Sequence, residues 1–129
     1  MNLIALITLF LIEEEFNMAK KQTAGRKQLG DFAPQFAALN DDVLFGEVWS
    51  KEDALSAHDR SLITIASIIS AGNTEQLEAH LRIGKQNGIT KDEIVAEITH
   101  LAFYAGWPKA WSAFNRAKEI WSDEEETHK

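Results

Sequence analysis

The chain has 129 residues, 45% hydrophobic and 26% charged, with 13 Lys+Arg against 20 Asp+Glu and no cysteine. That length suffices for one domain with a core of its own, and the missing cysteines exclude disulfides, thiolate metal sites and thiol redox chemistry within the chain. The formal net charge of −7 sits mainly in two acidic runs, Glu13–Glu15 and Asp123–Glu126. The body between them is nearly neutral and has no basic stripe, so nucleic acid is not an expected partner.

The first twelve residues, "MNLIALITLFLI", are apolar but fall far short of the ~20 that span a bilayer. They lack a basic start and a small-residue cleavage site, so they do not read as a signal peptide. No membrane partner is expected, and a cysteine-free chain suits a reducing cytoplasm. Residues 1–30 are expected to be an N-terminal extension. One reading makes Met18 the true start, with the glutamate run before it a translated ribosome-binding site. The other makes the apolar segment an arm that docks on a partner subunit. Residues 19–30 are basic and polar and are expected to be mobile.

From residue 31 onward the periodicity is helical and no run alternates long enough for a strand. Asp31–Leu39 predicts a short helix with Phe32, Phe36 and Leu39 on one face and Pro34 in its first turn. Asp41 or Asp42 would cap a second, "DDVLFGEVWS". Ser56 with Asp59 opens a helix running to about Ser70 whose isoleucines cover most of its circumference, as expected of a buried spine. Asn73 or Thr74 is expected to cap the next helix, with Leu77, His80, Leu81 and Gly84 on one face. Gly88 suits its C-terminal end, and Thr90–Glu93 is a capping-box pattern for a helix closed by Gly106. Pro108 opens the last helix, which should bury Ala110, Ala113, Phe114, Ala117 and Trp121. The expectation is one all-α domain of about six helices over 31–122, followed by an acidic tail, 123–129. Its apolar spine and four tryptophans are more than so small a body covers alone, so self-association is expected.

His80 is the leading candidate for chemistry, because an imidazole on an apolar stripe is poised to act as acid or base near neutrality. A core histidine bonded to a carbonyl is the plain alternative. Glu47, among Phe45, Val48 and Trp49, is second; it is either a partly desolvated carboxylate or a residue on the wet face. His100 could line a cleft or serve structure, His58 reads as surface, and His128 belongs to the tail. No HxxxH or HExxH pair supports a metal site. Phe103, Tyr104, Trp107 and Trp111 cluster around the Gly106 turn as core, subunit interface or pocket wall.

The stretches "FGEVW" (Phe45–Trp49), "RSLITIASIISAG" (Arg60–Gly72), "EAHLRIGKQNGIT" (Glu78–Thr90) and "EITHLAFYAGWPKAWSAFNRA" (Glu97–Ala117) resemble the carboxymuconolactone decarboxylase family, which shares the AhpD-like fold. The family's peroxidase branch carries CxxCxxxH. Here that window reads "NTEQLEAH", with Asn73 and Gln76 in place of the cysteines and only His80 kept, so the thiolate that chemistry needs is missing. The decarboxylase branch is matched by Gly46-Glu47-Val48-Trp49 and His80-Leu81-Arg82. The resemblance implies cofactor-independent conversion of 4-carboxymuconolactone to an enol-lactone, with His80 and Glu47 catalytic. It also implies a homo-oligomer, often a trimer of dimers. Arg82 or Arg60 would hold a substrate carboxylate, although either arginine could instead make an interhelix salt bridge. His100, Trp107 and Trp111 would line the pocket. Trp107, Lys109, Trp111 and His100 depart from the decarboxylase pattern, which leaves room for another small lactone or carbonyl substrate. A non-catalytic oligomer that binds a small ligand or partner is the second reading. Peroxidase activity is the third, and requires a thiol from another protein.

Overall fold

The computed structural model describes residues 2–9 and 22–122. The acidic runs, Met18 and the 123–129 tail lie outside the described residues. All regular elements among the described residues are helical, and the chain divides into two compact units, Met1–Lys51 and Glu52–Lys129.

In the first unit, residues 3–9 are helical, with the Asn2 side chain accepting the Ala5 N–H at 2.8 Å. Leu3, Ile4, Leu6, Ile7 and Leu9 are exposed. No described helix is long and apolar enough to cross a membrane. Helix α1 (Ala24–Leu29) forms where the sequence suggested only a mobile polar segment. The reason lies sixteen residues on. Asp41 is buried, and its carboxylate accepts the Gly25 N–H at 2.9 Å and the Arg26 N–H at 3.0 Å. It thus caps the start of α1, satisfying amides that have no partner inside the helix. Gly25 allows the approach, since a Cβ there would lie 2.7 Å from Asp41 Oδ1 and 2.8 Å from the Ala37 carbonyl. Burial opposes the Asp41 charge, but bonds from Asn40 and the Arg26 and Gly25 amides prevail and hold its carboxyl below the usual range. Asp42 pairs with the Arg26 guanidinium at 2.7 Å.

Helix α2 (Pro34–Ala38) has its proline in the first turn as expected, yet it buries Ala37 while Phe36 and Phe32 stay exposed. Leu39–Val48 follows directly as a π-helix; the Trp49 N–H, for example, reaches the Leu44 carbonyl at 2.9 Å. Neither aspartate caps this segment, because both face α1. Asp41→Ala should strand the buried Gly25 amide, an unpaired buried donor costing about 1–3 kcal/mol, and remove the bond to the part-buried Arg26 amide as well. Hydrogen exchange over residues 24–29 should then rise to the rate of an unprotected chain.

The second unit is a bundle of α3 (Ala57–Ala71), α4 (Thr74–Gln86), α5 (Lys91–Ala105) and α6 (Trp107–Ile120). Its caps follow the sequence closely. The Ser56 hydroxyl accepts the Asp59 N–H at 3.1 Å. Thr90 and Glu93 form a complete capping box, with reciprocal bonds of 3.1 and 2.9 Å. Gly72, Gly88 and Gly106 all take positive φ at the turns. Asn73 precedes α4 but makes no side-chain cap. Thr90→Ala should cost about 1 kcal/mol, read as a lowered denaturation midpoint with an unchanged denaturant slope.

The core joins Ile65 and Ile69 of α3, Leu77 and Leu81 of α4, Ile94 and Ile98 of α5, and Ala113 and Ala117 of α6. Gly84 brings α4 against α3, since a Cβ there would meet Ile89 Cδ1 at 2.8 Å and Ile65 Cδ1 at 3.0 Å. The neighbour that this glycine admits is therefore the protein's own core. Helix α3 is not enclosed all round, as its apolar circumference suggested. It buries Ser61, Ile65 and Ile69 and leaves Ile63 57% exposed. Three neighbouring helices cannot cover every face of a fourth.

Candidate functional site

His80 is half-buried on α4. It flanks the Leu77, Leu81 and Gly84 face that packs into the core. Its Nδ1 is buried and has no hydrogen-bond partner among the described residues. This differs from the ordinary core histidine, whose ring nitrogen meets a carbonyl. Burial lowers the His80 pKa, so the ring is neutral at pH 7 and carries one N–H and one lone pair. A neutral imidazole of this kind donates a hydrogen bond to a developing oxyanion more readily than it delivers a proton.

Glu47 lies in the first unit, exposed on the π-helix. It takes the wet-face reading within this chain and is not enclosed by its aromatic neighbours. Phe45 and Trp49 instead stack on one another, with ring centroids 5.6 Å apart. Arg82 is exposed and bonds Glu78 one turn earlier on the same helix at 2.9 Å, so its ion pair is local and not interhelical. The Arg60 Nε donates to the Leu55 carbonyl at 3.0 Å, tying the chain before α3 to that helix. His100 is exposed and lies against Tyr104, ring centroids 4.9 Å apart. Trp107 meets Phe103 edge-on at 6.2 Å. Both tryptophans named for the pocket, Trp107 and Trp111, are more than half exposed. The aromatic cluster is thus surface in this chain and not core.

A groove of about 230 Å³ runs beside the first turn of α4, between Ile68, Leu77 and Pro108, with Thr74, Lys109 and Ser112 among its polar lining. The Lys109 ammonium donates to the Ser70 carbonyl at 2.9 Å. His80 does not line this groove.

Sequence reasoning missed a second titratable group in this unit. His58 is not a free surface residue. Its Nδ1 lies 2.8 Å from Asp59 Oδ1 and its Nε2 lies 2.9 Å from Glu93 Oε2. Ionised carboxylates only accept, so the geometry lets both ring nitrogens donate when the ring is protonated. The bonds to Asp59 and Glu93 accordingly raise its pKa above the usual histidine value. The Thr90 N–H, and next His58, hold the Glu93 carboxyl below its ordinary range. One turn further along α5, Glu97 has a buried Oε1 with no partner among the described residues. Burial pushes its carboxyl up to about 7, against a smaller opposing pull from the His58 charge. The available sequence signal was the i, i+4 pair Glu93 and Glu97, each immediately before a core isoleucine. His58 stands 35 residues before Glu93 and shares no local pattern with it. No cluster of three or more His, Asp or Glu among the described residues has the geometry to hold a metal ion.

Known proteins match this chain in the same region. The profile of the carboxymuconolactone decarboxylase family covers residues 34–119, which include every stretch that carried the resemblance. A 4-carboxymuconolactone decarboxylase from Acinetobacter baylyi is 39% identical over 97 residues, 75% of this chain and 72% of that relative. The chain belongs to the carboxymuconolactone decarboxylase family.

Proposed function

We propose that the protein is a cofactor-independent carboxy-lyase acting on 4-carboxymuconolactone or a closely related small lactone, in the cytoplasm. The observation that carries this reading is His80, a half-buried neutral imidazole with an unpartnered ring nitrogen, in a chain similar to a 4-carboxymuconolactone decarboxylase. Breaking the bond to the carboxylate releases CO₂ and leaves its electron pair in the conjugated lactone as a dienolate. The dienolate oxygen needs a hydrogen-bond donor, and a carbon then takes up a proton. His80 supplies the donor, a type of contact worth about 10²–10³-fold in rate. Glu47 is the second acid/base candidate. Arg60 and Arg82 are candidates for the substrate carboxylate, and His100, Trp107 and Trp111 for the pocket wall.

Self-association belongs to this reading. Phe103, Tyr104, Trp107 and Trp111 leave four aromatic rings more than half exposed side by side, the kind of patch that marks an interface, and a homo-oligomer, a trimer of dimers, would cover it. Following loss of 4-carboxymuconolactone with purified protein tests the reaction. Turnover that needs no added metal or cofactor supports it, and no turnover rejects this substrate.

A further inference from the structure

We propose that His58, Glu93 and Glu97 form a pH-dependent clamp between the first turn of α3 and helix α5, closed while His58 and Glu97 each carry a proton and loosened as both protons leave. The geometry supplies the clamp. Within the second unit, the His58 ring bonds the start of α3 to α5 through Glu93 Oε2 at 2.9 Å. Its other nitrogen holds Asp59 in the same turn of α3. Glu97 adds a carboxyl one turn away whose Oε1 is sealed from water and unpartnered.

The surrounding charges make the clamp respond to pH. Asp59 is the carboxylate on α3, α5 carries Asp92 and Glu93 in its first turn and Glu97 one turn on, and Glu52 lies before α3, accepting the Ala57 N–H at 3.3 Å. Of the cations on α6, the other helix packed on α5, Lys109 bonds Ser70 and Arg116 bonds Ser112, while Lys118 lines a groove with Lys91 and Val95 of α5. Once His58 is neutral, the Asp59 and Glu93 carboxylates on its two nitrogens lose the positive charge between them, an ionised Glu97 one turn along α5 adds a further negative charge, and like charges repel. The same turn of α3 also anchors the chain before it, through Arg60 to Leu55 and Ala57 to Glu52.

Both protons act in the same direction. His58 has its folded pKa raised, so its contribution is complete below about 6.5 and is lost as pH rises through the folded value. The Glu97 carboxyl titrates at about 7 when folded and 4.5 ordinarily. The folded chain therefore keeps a proton that the unfolded chain has already released, and stability falls as pH climbs from 4.5 through about 7.

Hydrogen exchange of the full chain over Ala57–Ser61 at pH 6 and pH 8, corrected for intrinsic rates, tests the clamp. Protection should fall at least about tenfold at pH 8, the factor matching a one-unit pKa difference. Glu97→Gln should recover much of the lost protection at pH 8. Equal protection at both pH values, or a Glu97→Gln profile superimposed on that of the wild type, overturns the proposal. If the variant fails to fold, carbon-13 titration of the Glu97 carboxyl in the wild type decides: a midpoint near 7 supports the clamp and one near 4.5 overturns it.

Discussion

His80→Ala should lower kcat/KM for 4-carboxymuconolactone by about 10²–10³-fold, the usual loss on removing one donor from a developing oxyanion. The fall should appear in kcat, because the contact strengthens only as the dienolate forms. Folding should survive. The substitution loses some packing, but it also removes a buried nitrogen that lacks a partner, and an unpaired buried polar group itself costs about 1–3 kcal/mol. His80→Gln, which keeps an N–H near the same place, should restore part of the rate. The pH profile separates the two roles open to the ring. Burial lowers its pKa, so a ring acting only as a hydrogen-bond donor is neutral above the ordinary histidine range yet keeps an N–H there, and its rate does not fall as pH rises. A ring that had to deliver its own proton as an imidazolium would instead lose activity as pH rises through its pKa. An unchanged rate in His80→Ala would remove His80 from the chemistry altogether.

The second unit was largely legible because its signals are local. Ser56 with Asp59, Thr90 with Glu93, and glycines at 72, 88 and 106 mark helix ends within four residues of the amides or carbonyls they serve. The stripes Leu77–Leu81–Gly84 and Ala110–Ala113–Ala117 gave the buried faces of α4 and α6 by spacing alone. The first unit was not legible, because its organising contact joins Asp41 to amides at Gly25 and Arg26 across sixteen residues. Read locally, an aspartate before an apolar run is an N-cap for that run. Spacing also finds apolar faces without saying what covers them. The spacing puts Phe32, Phe36 and Leu39 on one helix face, but the helix starts only at Pro34, Phe32 falls in the turn before it, and all three are left in the open. His80 was found because it interrupts an apolar stripe. Glu97 interrupts nothing, and only the helices around it show that its Oε1 is shut off from water.

Trp121→Ala should be the most damaging single substitution in the second unit. The indole is 2% exposed and belongs to the core cluster. Its Nε1 donates to the Ile89 carbonyl at 2.9 Å, while the Ile89 N–H bonds the Gly84 carbonyl at 3.0 Å. One ring thus fastens the end of α6 to the turn between α4 and α5, in addition to filling volume. Large aromatic truncations in a core cost about 3–5 kcal/mol, against about 5–15 kcal/mol for a whole domain. In a body of this size each kilocalorie moves the melting point by about 4–8 °C. Circular dichroism should therefore find Trp121→Ala melting at least about 12 °C below the wild type. Trp121→Phe separates the two roles of the ring. It keeps most of the apolar burial and leaves the Ile89 carbonyl unpaired, so it should cost nearer 1 kcal/mol. If Phe were as damaging as Ala, the bond to Ile89 and not the packed volume would be what holds α6 in place. If neither moved the midpoint, the α4–α5 turn would be held by Gly84 and Ile65 alone, and the core would end before Trp121.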